Sequence, residues 1–153
     1  MRPFYETKED REREKDIAKM FAGRLGLGAK PNPVAYPVDY SFVNINNEVK
    51  GFAEIKSRGH RFGTYPTYMI SAMKLSHSQS LSRATHKNVF LVVGWSCGTI
   101  AHIDMNTEPD SVGWGGRADR GDADDMEPVV YWNIQRFIKA RLETCSKYTK
   151  YSK

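Results

Sequence analysis

The chain has 153 residues and a formal net charge of +5, with 40% hydrophobic residues and two cysteines, Cys97 and Cys145. This length predicts one domain over residues 1–153, and the lack of a long apolar run excludes a helix that spans a membrane. The cysteines have no zinc-ligand spacing and are too few for a disulfide framework. We therefore expect a cytoplasmic protein whose partner is anionic.

The first predicted element is an amphipathic helix from about Glu6 to Leu25, capped near Thr7 and ended by the glycines at 26 and 28. Apolar residues recur at steps of three and four positions and form one stripe: Ile17, Met20, Phe21 and Leu25. One turn before this stripe lies Glu14, which either faces the interior or belongs to the solvated face of the helix.

Two strands are predicted next, over residues 40–45 and 49–56, with Asn46 and Asn47 in the turn between them. Such a hairpin brings Asp39, at the start of the first strand, close to the far end of the second. A strand sends residues i and i+2 to the same face, so Glu54 and Lys56 point together, roughly 6 to 7 Å apart. We expect Asp39, Glu54 and Lys56 to converge at one edge of the sheet.

These three residue types are the minimal set for metal-assisted cleavage of a phosphodiester. The two carboxylates can hold a hard divalent cation through oxygen, and the lysine can face the scissile phosphate or the attacking water. The alternative interpretation is a solvated charge pair, because a Glu and a Lys two positions apart are common on exposed strands.

The second half of the chain predicts further strands and helices. Residues 67–70 form a strand, and a helix begins at Ser71, carries Lys74 in its first turn and ends near Ala84. Two strands are predicted at 88–95 and 99–103, with a tight turn between them. The first strand shows no alternation of apolar and polar residues, which predicts that both of its faces are buried.

The composition from Asp104 to Glu127 predicts a long loop, with a strand at 129–132 and a helix from Asn133 to about Leu142 after it. The acidic residues of the loop do not match a calcium-binding spacing, so we expect them to be solvated or paired with arginine: Asp119, Asp122, Asp124, Asp125 and Glu127. The basic tail, residues 143–153, either lies along a nucleic acid or is a disordered end.

Charge is distributed unevenly along the chain. From Ile55 to Ile103 there is no Asp or Glu, whereas basic residues and all four histidines of the protein occur there. This stretch predicts a positive surface for the phosphate backbone of a nucleic acid. Its candidate contact residues are Arg58, His60, Arg61, Lys74, Arg83 and Lys87.

The segments Pro37-Val38-Asp39 and Glu54-Ile55-Lys56 resemble the two motif elements of the PD-(D/E)xK nuclease superfamily. The resemblance implies an α/β restriction-endonuclease-like fold with a central mixed β-sheet flanked by helices. It also implies that Asp39, Glu54 and the Ile55 carbonyl bind Mg²⁺, which Mn²⁺ can replace, and that Lys56 assists the nucleophilic water. Members often add a Glu on the first helix and a Lys on the helix after the motif. Glu14 and Lys74 match these positions, with ordinary surface residues as the alternative.

A single compact domain without a recognition module is similar to the small archaeal-type Holliday junction resolvases. The segment 113–130 is also similar to small PD-(D/E)xK proteins of tailed bacteriophages. These resemblances imply a homodimeric endonuclease for branched DNA, acting in DNA recombination in the host cytoplasm.

Two alternatives stay open. The first is a nuclease of the same fold that acts on duplex, flapped or single-stranded DNA. The second is a DNA-binding module without catalysis, which is disfavoured because two carboxylates repel a phosphate unless a cation lies between them.

Overall fold

The computed structural model describes residues 7–116 and 126–140 of the chain. In chain order the elements are α1 (Lys8–Arg24), β1 (Gly28–Pro31), β2 (Tyr40–Val43), β3 (Val49–Arg58), β4 (Thr67–Ser71), α2 (Ala72–Thr85), β5 (Asn88–Trp95), β6 (Ile100–Asp104), β7 (Ser111–Gly116), β8 (Met126–Asn133), a 3-10 turn (Ile134–Arg136) and β9 (Ile138–Lys139). The tail 143–153, Cys145 and the acidic positions 119–125 lie outside the described residues.

The strands form two sheets. The larger has the order β1-β2-β3-β5-β6-β9, and the smaller has the order β4-β8-β7. Strands β3 and β5 pair in parallel at the centre of the larger sheet, while its other neighbours pair antiparallel. A parallel pair needs a crossover connection, which β4 and α2 provide. This arrangement confirms the predicted α/β fold with a central mixed sheet flanked by helices.

The two faces of the central sheet are covered by different elements. Helix α1 packs on the face that carries Ala53, Ile55 and Val92, and the opposite face is covered by the smaller sheet and α2. The helix comes very close to β5, because a Cβ atom on Gly94 would lie only 2.6 Å from the Cδ1 atom of Ile17. The absence of a side chain at Gly94 therefore allows α1 to pack this closely on the sheet.

Local sequence signals explain where several elements begin and end. The Thr7 hydroxyl accepts a hydrogen bond from the Asp10 N–H, and the Asp10 carboxylate accepts one from the Thr7 N–H. This reciprocal pair is a capping box at the N-terminus of α1. Ser71 caps α2 in a similar way, by accepting from the N–H groups of Met73 and Lys74. The predicted hairpin of β2 and β3 and the burial of β5 on both faces are also confirmed.

Three strands were not predicted: β1, β7 and β9. Strand β1 is a short edge strand that contains Gly28 and ends in Pro31, so its composition resembles a loop. Strand β7 lies inside the segment predicted to be a long loop, and that prediction is wrong for residues 111–116. A Cβ on Gly115 would lie 3.1 Å from Val129 and 3.3 Å from the sulfur of Met69, so the glycines of β7 make room for neighbouring strands.

The helix predicted from Asn133 to Leu142 is also wrong over the described residues. After Asn133 the chain makes the 3-10 turn and then β9, which pairs with β6. The spacing of Ile134 and Phe137 imitates a helical stripe, but both side chains are buried in the core beside Trp132. Phe137 packs against the rings of Tyr68 and Trp132, and this tertiary packing outweighs the local pattern.

Candidate active site

The candidate site is built where β3 extends past the end of β2. The two strands pair only as far as Tyr40 with Ala53, so the backbone of Ile55 has no partner from β2. Instead, the Ile55 N–H donates to Oδ2 of Asp39 at 2.9 Å. The predicted approach of Asp39 to the far end of β3 is thereby confirmed. In a strand the N–H and C=O of one residue point to the same side, so the Ile55 carbonyl also faces the Asp39 side.

The segment that carries Asp39 is held by a residue that the sequence did not single out. The Asn32 side-chain amide donates to the Val38 carbonyl at 3.1 Å, and the Asn32 N–H donates to the Asp39 carbonyl at 2.8 Å. Val38 itself is 1% exposed and anchors the segment in the core. Asn32 lies between two prolines, and asparagine often stabilises turns through its side-chain amide. This position was the signal by which the sequence could have indicated a structural role for Asn32.

Glu54 is buried among charges. Glu54 is only 2% exposed, which rules out the alternative that Glu54 and Lys56 are a solvated charge pair on an exposed strand. Lys56 Nζ lies 3.4 Å from Oε2 and Lys74 Nζ lies 3.3 Å from Oε1, yet Oε1 is buried without a hydrogen bond of good geometry. Burial raises the pKa of Glu54, and the Asp39 carboxylate adds to this, while Lys56 and Lys74 act in the opposite direction.

Lys56 reaches the solvent beside this carboxylate, with a side chain that is 38% exposed. Burial of its inner part would lower the pKa of the ammonium, but the attraction of Glu54 and the smaller effect of Asp39 help to outweigh it, and the net pKa is raised. Lys56 is therefore positively charged at neutral pH. Such a group can bind a phosphate oxygen or orient a water molecule, but it is not a free base.

Tyr68 and Arg58 form a layer above the site that the sequence did not predict. The Arg58 guanidinium lies 5.2 Å from the centre of the Tyr68 ring, within the range of a cation–π contact. The Tyr68 hydroxyl is buried without a hydrogen-bond partner, and burial raises its pKa. Arg58 shares the face of β3 that carries Glu54 and Lys56, since alternate residues point the same way.

The residues predicted to contact nucleic acid separate into two regions. Arg58 is the last residue of β3, and His60 and Arg61 lie in the loop after it, where the His60 and Tyr65 rings meet edge to face at 4.9 Å. Lys87 and Arg83 lie near the opposite end, because Lys87 precedes Asn88, which pairs with Gly51. Gly51 is three residues from Glu54, about 10 Å along the strand. Contact with nucleic acid stays a prediction for all of them.

Lys74 points into the site rather than away from it. Besides its contact with Glu54, its ammonium donates to the Pro37 carbonyl at 2.7 Å. Pro37 is two residues before Asp39, so this one side chain bridges the two motif segments.

Glu14 does not form a metal-holding group with Asp39 and Glu54 in the part of the chain that the structure describes. Its helix packs on the face of Ala53 and Ile55, opposite to the face of Glu54. Within residues 7–116 and 126–140 no three acidic, histidine or cysteine side chains gather into a group that could hold a metal ion. A catalytic role for Glu14 stays a prediction.

The donor atoms at this site fit a hard divalent cation. Carboxylate and carbonyl oxygens are the ligands that Mg²⁺ prefers, and Asp39, Glu54 and the Ile55 carbonyl are the groups that would supply them. The buried Glu54 Oε1 without a hydrogen bond is an atom that such a cation would satisfy. A cation would also offset the cost of placing two carboxylates close together.

A family model for phage putative PDDEXK endonucleases matches residues 1–140. The chain belongs to this family. The match confirms the resemblance that the two motif segments indicated, and it makes the protein a member of a nuclease family. In the parts of the chain that the structure describes, no helix is long and apolar enough to cross a membrane.

A solved structure shares the fold of this chain. It is the 1.6 Å structure of Hjc from Archaeoglobus fulgidus, a Holliday junction resolvase of an archaeal hyperthermophile. The TM-score is 0.50 with 9% sequence identity, over 82% of this chain and 85% of the resolvase. At this identity the likeness concerns the fold alone. No curated protein sequence matches the chain significantly.

Proposed function

We propose that this protein is a Mg²⁺-dependent, structure-selective DNA endonuclease that resolves four-way Holliday junctions as a homodimer. One observation carries the nuclease chemistry: Asp39 binds the backbone beside buried Glu54, with the Lys56 ammonium 3.4 Å from the Glu54 carboxylate. A buried acidic pair with an adjacent ammonium fits the cleavage of a phosphodiester better than passive DNA binding.

Asp39, Glu54 and the Ile55 carbonyl would hold the cation, with Mn²⁺ as a substitute for Mg²⁺. When bound, such a cation lowers the pKa of water and neutralises charge that develops on the phosphate. Asn32 holds the Asp39 segment in place through the two hydrogen bonds described above. The carboxylates are therefore positioned before any substrate arrives.

The basic residues of the chain would bind and orient the DNA. Lys56 is charged and partly exposed, so it can hold a non-bridging oxygen of the scissile phosphate or position the attacking water. Arg58, with His60 and Arg61 in the loop after β3, lies where the flanking phosphates would pass. Cleavage would leave a 5′-phosphate and a 3′-hydroxyl.

The choice of a branched substrate has its own support. The fold is similar to that of a Holliday junction resolvase, and the described residues include no added module for reading sequence. A homodimer would place two sites on opposite strands of a junction. Cleavage of duplex, flapped or single-stranded DNA is the alternative for the same site.

The decisive experiment compares a four-way junction with a linear duplex of the same sequence, with and without Mg²⁺. We expect Mg²⁺-dependent paired cuts in the junction and little cutting of the duplex, and no cutting by Asp39→Ala or Lys56→Ala, although both variants still bind DNA. Equal cleavage of the duplex would remove the junction assignment. Full activity in either variant would remove the site assignment.

A further inference from the structure

Lys74 lies at a place in α2 that the helix itself disfavours. The first turn of α2 contains no acidic residue, and a positive side chain there faces the positive end of the helix dipole. Its side chain is nevertheless drawn inward and is only 32% exposed. Contacts made by the ammonium must therefore outweigh the local repulsion.

Those contacts join the two halves of the acidic site. The ammonium donates to the Pro37 carbonyl at 2.7 Å and lies 3.3 Å from Glu54 Oε1. The first contact holds the segment that carries Asp39, and the second holds the strand that carries Glu54. Glu54 Oε1 is buried without a hydrogen bond of good geometry, so the charge of Lys74 is its nearest compensation.

Positive side chains surround the acidic pair before any cation binds. Lys56 and Lys74 each lie beside one oxygen of Glu54, and Arg58 lies on the same face of β3. A divalent cation that enters this site therefore meets carboxylates whose charge is already compensated. Each lysine reduces the attraction that the carboxylates exert on the cation.

We propose that Lys74 is a built-in counter-cation of the acidic pair: it ties the Asp39 segment to Glu54 in the metal-free protein, and its charge lowers the affinity of the site for a divalent cation. This proposal rests on the proposed function, since it concerns the same metal site. Lys74 also lines an open cavity of about 450 Å³ with Ser71, Met73, His77 and Glu127.

Charge-removing variants at position 74 provide the test. Lys74→Met keeps most of the length of the side chain, and Lys74→Gln keeps a polar group. Lys50→Gln is the matched control, because it removes the same charge from an exposed site on β3 four residues before Glu54. The affinity of each full-length protein for Mn²⁺ and Mg²⁺ alone would be measured by titration calorimetry without DNA.

We expect both Lys74 variants to bind the cations at least tenfold more tightly than the wild type, because removal of a unit charge about 5 Å from a divalent ion predicts about this factor even at the dielectric constant of water. Lys50→Gln should leave the affinity unchanged. The metal-free Lys74 variants should melt at a lower temperature than the wild type, and Mn²⁺ should raise their melting temperature more than it raises that of the wild type. If Lys74→Met does not fold, Lys74→Gln decides the outcome.

Unchanged or weaker cation binding in Lys74→Gln would overturn the counter-cation proposal, including the case in which only its DNA affinity falls. A wild type that binds and cuts a junction while Lys74→Gln gains no cation affinity would refute this proposal alone. A wild type that binds no divalent cation and cuts no DNA would refute the proposed function as well.

Discussion

The two faces of β3 have opposite characters although their residues alternate along one strand. Ala53 and Ile55 are fully buried beneath α1 among apolar side chains. Glu54 is buried to nearly the same extent on the other face, but among Lys56, Lys74 and Asp39. One face stabilises the fold, and the other holds charges whose burial costs stability. Neighbouring positions should therefore respond differently to substitution.

The largest expected effect is on the charged face. Glu54→Gln keeps the shape of the side chain but removes a charge that the proposed cation requires, so junction cleavage should fall by about a thousandfold or more. The circular dichroism spectrum should match that of the wild type. The measurement is the initial rate of cleavage of a four-way junction in Mg²⁺. A loss smaller than tenfold would contradict the assignment of Glu54.

Substitution of the adjacent Ile55 should reduce the stability of the protein more than its cleavage activity. Ile55→Ala leaves the backbone N–H and carbonyl in place but opens a cavity beneath α1, so the free energy of unfolding should fall by about 2 to 5 kcal/mol. Denaturant unfolding measures this loss. Cleavage per folded molecule, at a temperature where the variant is folded, should change much less than in Glu54→Gln. A stability equal to that of the wild type would show that the two faces do not differ as described.

The contact between α1 and the sheet can also be tested at Gly94 of β5 and Ile17 of α1. Gly94→Ala places a Cβ 2.6 Å from Ile17 Cδ1 and should cost about 1 to 3 kcal/mol through overpacking. Ile17→Val removes that Cδ1 atom, so the double variant should recover part of the loss. A double-mutant cycle by denaturant unfolding measures the coupling. Strict additivity would contradict the close approach of the helix.

The smallest expected effect is a pH dependence of the metal-free protein. Burial raises the pKa of Glu54 above its value in the unfolded chain, about 4.3, so the unfolded state releases this proton first. The contribution of Glu54 to stability therefore falls as the pH rises from about 4.3 to the folded pKa and is constant above it. Glu54→Gln should be more stable than the wild type at pH 7, and the difference should disappear near pH 4.

The control for this prediction is the same pair of proteins in saturating Mg²⁺. The cation should stabilise the wild type but not the variant, so the difference in stability at pH 7 should shrink or reverse. An equal stability of the two metal-free proteins at every pH from 4 to 7 would contradict an unfavourable burial of the Glu54 charge.

Local patterns in the chain determined a large part of the molecule. The apolar stripe and Thr7 predicted α1, the turn at Asn46 and Asn47 predicted the hairpin, and the unbroken apolar run predicted the central strand β5. The two-residue period of a strand also placed Glu54 and Lys56 on one face, with their charged groups 3.4 Å apart. These features depend on neighbours in sequence, so sequence is sufficient to predict them.

Other features depend on partners that are distant in sequence. Strand β7 forms because its glycines accommodate Val129 and Met69, and the segment after Asn133 follows the aromatic core and not its own helical spacing. Asn32, the burial of Glu54 and the inward position of Lys74 likewise arise from contacts between separate elements. The motif thus pointed to the residues of the candidate site, whereas tertiary packing decided their burial, neighbouring charges and support, because long-range contacts set the local dielectric and the available partners.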